Sequence, residues 1–129
     1  MDLFGFDAFD TTPLITDAMF TLHDAIPADC TRLRVEFDEQ GAALISAFRK
    51  DDTESDAVVE PTDDLMGAAG FLHNYISYQV VRLSRQHQKD GDDAVFAAQE
   101  RLRSSLTEVG LEVGMLDGTL DDSITVIRR

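Results

Sequence analysis

The sequence predicts one α+β domain, because a long helical pattern and an alternating strand pattern occur in a chain of single-domain length. The helical pattern occupies residues 62–88, and residues 31–37 alternate between polar and apolar side chains, as strands do. With 129 residues, 43% of them hydrophobic, the chain has material for one compact core. We expect an N-terminal helix, a three-stranded antiparallel meander, the long helix packed across the sheet, a further C-terminal helix and a terminal hairpin.

The long helix is predicted by an apolar stripe that repeats at steps of three and four residues. The stripe consists of Leu65, Ala69, Leu72, Ile76, Val80 and Leu83. Pro61 and Thr62 stand at its start, and two aspartates follow in the first turn, where carboxylates favour the positive end of the helix dipole. Basic residues collect near the far end and Gly91 follows them, which marks the end of the helix.

Residues 1–12 interleave Phe4, Phe6 and Phe9 with aspartates. Two interpretations are open: a flexible arm that offers its rings, or phenylalanines that pack on the domain's own core. We favour the second, because burial stabilises large apolar side chains. Thr12 then caps a first helix over residues 13–25, which Pro27 ends. Its predicted buried face consists of Leu14, Ile15, Ala18, Met19, Leu22 and Ile26.

A period of two begins at residue 31, where Leu33, Val35 and Phe37 alternate with charged side chains. Residues 38–41 form a turn and residues 43–49 return, so the two strands form an antiparallel hairpin. An acidic loop follows at residues 51–56. Residues 57–60 are predicted as a short third strand that completes the meander before the long helix.

After the break at Gly91, a third helix is predicted over residues 94–109, with Asp92 or Asp93 as its N-cap. Beyond residue 110, an alternating stretch, the turn dipeptide Asp117-Gly118 and a β-branched stretch at residues 123–127 predict a terminal hairpin. The alternative is that residues 121–129 fray. The predicted inner face of the third helix consists of Val95, Ala98, Leu102, Leu106 and Val109.

The charge of the chain limits the partners that it can bind. Eleven basic against 25 acidic residues give −14 at pH 7, which disfavours nucleic acid and anionic membrane surfaces and favours a basic protein. The alternative is solubility or adaptation to salt, because aspartate far outnumbers glutamate and arginine outnumbers lysine. The longest run without formal charge, residues 65–81, is too short and too polar to span a bilayer.

Two surfaces are candidates for contact with a basic partner. Like charges in the acidic loop repel one another unless a cationic surface offsets them. The predicted contact residues in the loop are Asp51, Asp52, Glu54 and Asp56. The polar side of the long helix, around Asn74 and Tyr78, is the other candidate. A solvated loop without a partner is the alternative interpretation of the four carboxylates.

The motifs of common catalytic and cofactor sites do not occur in the sequence. His23, His73 and His87 lack the close spacing of metal ligands, so we expect surface or packing histidines and no metal. Without a phosphate-binding glycine loop or a nucleophile elbow, we expect neither a cofactor nor catalysis. Cys30 is the single cysteine, which excludes an internal disulfide. We expect a cytoplasmic protein, because the N-terminus also lacks the pattern of a secretory signal.

Over residues 14–88, a helix closes on Ile26-Pro27, and a hairpin, an acidic loop, a third strand and a long helix after Pro61 follow. This order resembles the YezG-like family of bacterial toxin-immunity proteins. The resemblance implies a small cytoplasmic α+β protein that binds and neutralises a cognate toxin and has no active site of its own.

Together with the charge, the resemblance predicts an immunity or antitoxin-like protein, a monomer rather than a dimer, that occludes the active site of a basic toxin. One alternative is a small acidic secretion-type chaperone, which would be a dimer that binds an unfolded segment. The other is a salt-adapted domain without a charge-driven partner.

Overall fold

The computed structural model describes residues 12–116 and 119–128, and it has the predicted α+β class. The helices are α1 (Thr12–Asp24), α2 (Asp63–His87) and α3 (Asp92–Glu108), with a 3₁₀ turn at Gln88–Asp90. The strands are β1 (Arg32–Phe37), β2 (Ala43–Phe48), β3 (Leu111–Leu116) and β4 (Thr119–Ile127). The predictions for Phe4, Phe6, Phe9 and the Asp117-Gly118 turn lie outside the described residues.

The four strands form one antiparallel sheet in the order β2-β1-β4-β3. On one side of β1, Val35 lies opposite Ile45 of β2, and on the other side it lies opposite Ile124 of β4. Both predicted hairpins are therefore confirmed, as β1-β2 and β3-β4. The predicted third strand at residues 57–60 is wrong: these residues form no strand, and the strand added to the hairpin is β4, which pairs with β1 and not with β2.

Residues 57–60 have no regular structure because the chain leaves the edge of β2 after Ser55. The amide of Ser55 donates to the carbonyl oxygen of Ala47 at 2.8 Å, but the amide of Ala57 donates to the hydroxyl of Ser55 at 3.1 Å instead of to a strand. At the other end of the chain, residues 121–127 lie in β4, between β1 and β3. The alternative of an unpaired terminus therefore does not hold for them.

The long helix α2 has the predicted start and the predicted buried stripe. The hydroxyl of Thr62 accepts a hydrogen bond from the amide of Leu65 at 3.2 Å, which makes Thr62 the N-cap. Leu72 and Ile76, in the middle of the stripe, are each 1% exposed. Leu83, at its far end, is half-buried. The stripe is the part of α2 that packs into the core.

The core lies between the three helices and one face of the sheet. The buried strand residues alternate along each strand and share that face: Leu33, Val35, Ala47, Leu111, Val113, Ile124 and Val126. The opposite face presents half-buried polar side chains, among them Arg34, Thr125 and Glu112. None of the described elements covers this second face.

Three predictions for α1 and α3 are corrected. Leu14 was expected in the core but is 53% exposed, because Ile15, Ala18 and Leu22 set the buried side of α1. Val109 is 42% exposed because it lies just past the end of α3. Asp92 and Asp93 do not cap α3: they form its first turn, and Gly91 holds the N-cap position without a side chain to accept hydrogen bonds.

Candidate functional site

The acidic loop, residues 51–56, begins as a compact turn at the end of β2. The amide of Arg49 donates to the carbonyl oxygen of Thr53 at 2.8 Å, and the amide of Asp52 donates to the carbonyl oxygen of Arg49 at 2.9 Å. Asp52 has a φ of +66°, in the left-handed region that aspartate enters more readily than most residues. Backbone hydrogen bonds between Arg49 and residues 52 and 53 therefore close the turn at the start of the loop.

One arginine joins the acidic loop to the segment before β1. Nε of Arg49 donates to Oδ2 of Asp29 at 3.0 Å. Nη1 of Arg49 donates to the carbonyl oxygen of Glu54 at 3.0 Å and to the hydroxyl of Thr53 at 3.3 Å. The sequence did not single out Arg49 or Asp29, because they are 20 residues apart and no local pattern indicates the contact. Arg49 therefore holds the loop against the body of the domain together with the Arg32–Asp52 ion pair and the backbone bond from Ser55 to Ala47.

Two carboxyl groups in this region ionise more readily than usual. The hydroxyl of Thr53, at 2.6 Å, and its amide, at 3.1 Å, lower the pKa of Asp51 below its usual 3.8. The thiol of Cys30, 3.5 Å from Oδ1, and then the guanidinium of Arg49 lower the pKa of Asp29. A hydrogen bond donated to a carboxylate stabilises its charged form. Both groups are therefore anionic at neutral pH.

The predicted contact residues of the acidic loop all face solvent. Asp52 forms an ion pair with Arg32 at 3.1 Å, but its side chain remains 71% exposed, so water screens the pair and it stabilises the fold little. Asp51, Glu54 and Asp56 are exposed as well. The structure thus presents the four side chains to solvent from a loop whose backbone is hydrogen-bonded at residues 52–55.

Asn74 and Tyr78, the other predicted contact residues, lie on the exposed side of α2. A rise of about 1.5 Å per residue places them about 16 and 22 Å along the helix from Asp63. Tyr78 lines an open groove of about 670 Å³ whose other lining residues are Ser77, Val81, Arg82, Arg85 and Gln86. This groove is partly basic, so the six predicted residues belong to two surfaces of different character.

His73 and the single cysteine lie in packed surroundings. Nε2 of His73 lies 2.9 Å from the backbone oxygen of Asp121. The centroid of the His73 ring lies 5.2 Å from the centroid of the Phe37 ring. This confirms a packing role for His73. Cys30 is buried. Within residues 12–116 and 119–128, histidine, cysteine and carboxylate side chains nowhere form a group of three that could hold a metal ion.

A further open groove, of about 680 Å³, lies between α3 and β3. Its lining residues are Asp92, Val95, Phe96, Gln99, Glu100, Arg103 and Met115. Phe96 is 65% exposed, and Glu100 pairs with Arg103 at 3.1 Å.

In the described part of the chain, no helix combines the length and the apolar character needed to cross a membrane.

Comparisons of the chain with family models, with curated proteins and with solved structures find no significant match. The function is therefore inferred from the charge, the acidic loop and the sheet of this chain.

Proposed function

We propose that the protein is an immunity or antitoxin-like inhibitor that binds a basic toxin and occludes its active site. The observation that carries the proposal is the acidic loop, whose exposed carboxylates are attached to a backbone held by Arg49. A surface whose conformation is already set loses little entropy when a partner binds. The resemblance to the YezG-like family supports the same function.

The charge of the chain supports long-range attraction of a basic partner. A net charge of −14 produces a negative potential that raises the rate of encounter with a cationic surface. Asp51 and Asp29, with their lowered pKa values, keep their charge well below neutral pH. In this proposal the chain acts by binding in the cytoplasm, without a cofactor and without catalysis of its own.

The experiment is to express the chain together with the product of the neighbouring gene, since immunity proteins are typically encoded immediately after their toxin. We expect a one-to-one complex by native mass measurement, and loss of the toxin's activity on complex formation. A dimer of this chain bound to an unfolded segment would contradict the proposal and support a secretion-type chaperone. Absence of binding to that product would also contradict it and leave the charge as an adaptation to salt.

A further inference from the structure

One edge of the sheet carries backbone groups that the described residues leave unpaired. In an antiparallel pair, successive residues direct their N–H and C=O groups alternately towards and away from the neighbouring strand. The amide of Asp38 donates to the carbonyl oxygen of Ala42, so Ala42 directs its backbone groups towards β1. Every second residue does the same, so the backbone N–H and C=O groups of Leu44 and Ser46 also bond to β1. Ala43 and Ile45 therefore direct their backbone groups outward, away from the sheet.

The acidic loop closes only one end of this edge. The carbonyl oxygen of Ala47 accepts from the amide of Ser55, and a single bridge joins Phe48 to Glu54. Beyond Ser55 the chain turns away, because the amide of Ala57 bonds to the Ser55 hydroxyl. Among the described residues, none pairs with the outward groups of Ala43 and Ile45.

The edge strand also lacks the features that usually protect an edge. Charged side chains, prolines and bulges normally prevent edge strands from pairing with other chains. Residues 40–48 contain no charge and no proline, in a chain in which 28% of residues are charged, and β2 pairs with β1 without a register shift. Leu44 is 63% exposed on the uncovered face of the sheet beside this edge.

Carboxylates flank the uncharged edge at both ends. Glu39 is exposed in the turn before β2, and the acidic loop lies after the end of β2. A strand of six residues is about 20 Å long, so the two acidic ends are separated by roughly that distance. The cations at the second end are Lys50, Arg49 and Arg32, which the four loop carboxylates and Asp29 outnumber. An extended segment with an uncharged middle and basic ends fits this arrangement.

We propose that an extended segment of the basic partner adds a fifth strand to the sheet at β2, with its middle paired to Ala43 and Ile45 and its basic ends beside the acidic loop and Glu39. This inference rests on the proposed function and specifies how the partner docks. Backbone hydrogen bonds provide the attachment in this binding mode, and side chains on alternate positions provide selectivity. Leu44 provides the apolar contact on the uncovered face.

The first test uses a synthetic peptide with alternating Thr and Val in its middle and a pair of Lys at each end. In the free protein, the amides of Ala43 and Ile45 should exchange with solvent faster than those of Leu44 and Ser46. Excess peptide should slow exchange at Ala43 and Ile45 specifically. A peptide with N-methyl groups on the amides that would pair with β2 should not slow exchange at Ala43 and Ile45. A peptide with Glu in place of Lys should not slow it either. Equal protection with the N-methylated peptide would overturn strand pairing.

The second test uses the product of the neighbouring gene and the variant Ala43→Pro, which removes one outward N–H at the start of the strand, where proline is tolerated. Loss of a hydrogen bond should raise the dissociation rate about three- to tenfold and leave the association rate unchanged. Leu44→Asp, which keeps every backbone bond, should also speed dissociation, because it places a carboxylate where an apolar contact is expected.

The outcomes separate this inference from the proposed function. A complex that forms normally and dissociates at the wild-type rate in both variants would overturn the fifth strand and leave the inhibitor proposal standing. Absence of any complex with the wild-type chain would refute the inhibitor proposal itself. Slow exchange at Ala43 and Ile45 without peptide, together with a dimeric mass that Ala43→Pro converts to a monomer, would assign the edge to a second copy and overturn the inference.

Discussion

Nε of Arg49 lies 3.0 Å from Oδ2 of Asp29, across 20 residues of sequence. Asp29 precedes β1 and Arg49 follows β2, so the ion pair closes the β1-β2 hairpin at the end where the acidic loop begins. The same guanidinium also binds the carbonyl oxygen of Glu54, inside the loop. One basic side chain thus links the segment before β1, the end of β2 and the acidic loop.

Replacing this arginine should raise the pKa of Asp29. In Arg49→Gln, the pKa of Asp29 should move up towards its usual 3.8 but not reach it, because the hydrogen bond from the Cys30 thiol is the larger cause of its lowering. A lowered folded-state pKa contributes stability above the unfolded-state pKa of about 3.9, and that stability is lost as the pH falls through the folded-state value. The variant should therefore lose less stability on acidification than the wild type. Carboxyl-carbon NMR titration measures the pKa directly.

Lys50→Gln is the matched control, because it removes the same charge from the next residue, which is exposed. It should leave the pKa of Asp29 nearly unchanged. An equal rise in both variants would mean that general charge, and not the contact with Arg49, lowers this pKa.

Truncation of the buried stripe of α2 should destabilise the fold strongly. Ile76 and Leu72 are each 1% exposed, so Ile76→Ala or Leu72→Ala should each cost about 2–5 kcal/mol of unfolding free energy, as large-to-small changes in cores do. Urea denaturation measures this cost. Val81→Ala, on the same helix but 49% exposed, should cost less than about 1 kcal/mol. A similar cost at Ile76 and Val81 would contradict the assignment of the core face.

The carboxylate of Asp121 occupies the space that a side chain at position 114 would need. A Cβ at Gly114 would overlap Oδ2 of Asp121, whose Oδ1 accepts hydrogen bonds from the amide and hydroxyl of Ser123. We expect Gly114→Ala to cost about 1–3 kcal/mol, because the carboxylate must move and leave those donors. The cost should nearly vanish when Gly114→Ala is made in an Asp121→Ala background, since the overlapping atoms are gone. Full additivity of the two substitutions in urea denaturation would show that the residues do not interact.

Local patterns in the sequence predicted most elements and missed the order of the sheet. The stripe of α2 and the alternation around Val35 report burial within one element, and both are confirmed. The third neighbour in the sheet depends on pairing between β1 and β4, which lie far apart in the sequence, and no periodicity carries that information. A three-stranded meander predicts residues 57–60 beside β2, whereas the chain leaves that edge after Ser55 and the added strand, β4, lies beside β1.

The sequence likewise predicts one part of the candidate site, the charged loop, and misses the contacts that position it. The four loop carboxylates are visible as a charge cluster in the sequence, and their exposure agrees with a surface loop. The contact between Arg49 and Asp29 and the unpaired edge at Ala43 and Ile45 are not visible, because both depend on tertiary neighbours. The role of the loop in binding remains a prediction.

The most direct test of the proposed function is the association rate with the product of the neighbouring gene, measured in low and in physiological salt. One variant carries Asn or Gln at the loop positions Asp51, Asp52, Glu54 and Asp56. The control variant removes four exposed charges elsewhere, at Asp17, Asp93, Glu108 and Asp122. Both variants have the same net charge, so a difference between them reports the position of the charges and not their number.

The Debye length falls from about 30 Å at 0.01 M salt to about 8 Å at 0.15 M, so attraction by the loop should weaken as salt rises. We predict that wild-type association slows with salt, that the loop variant associates several-fold more slowly than the control variant in low salt, and that dissociation rates hardly change. Equal association rates for the loop variant, the control variant and the wild type in both salts would contradict a role for the acidic loop in capturing a basic partner.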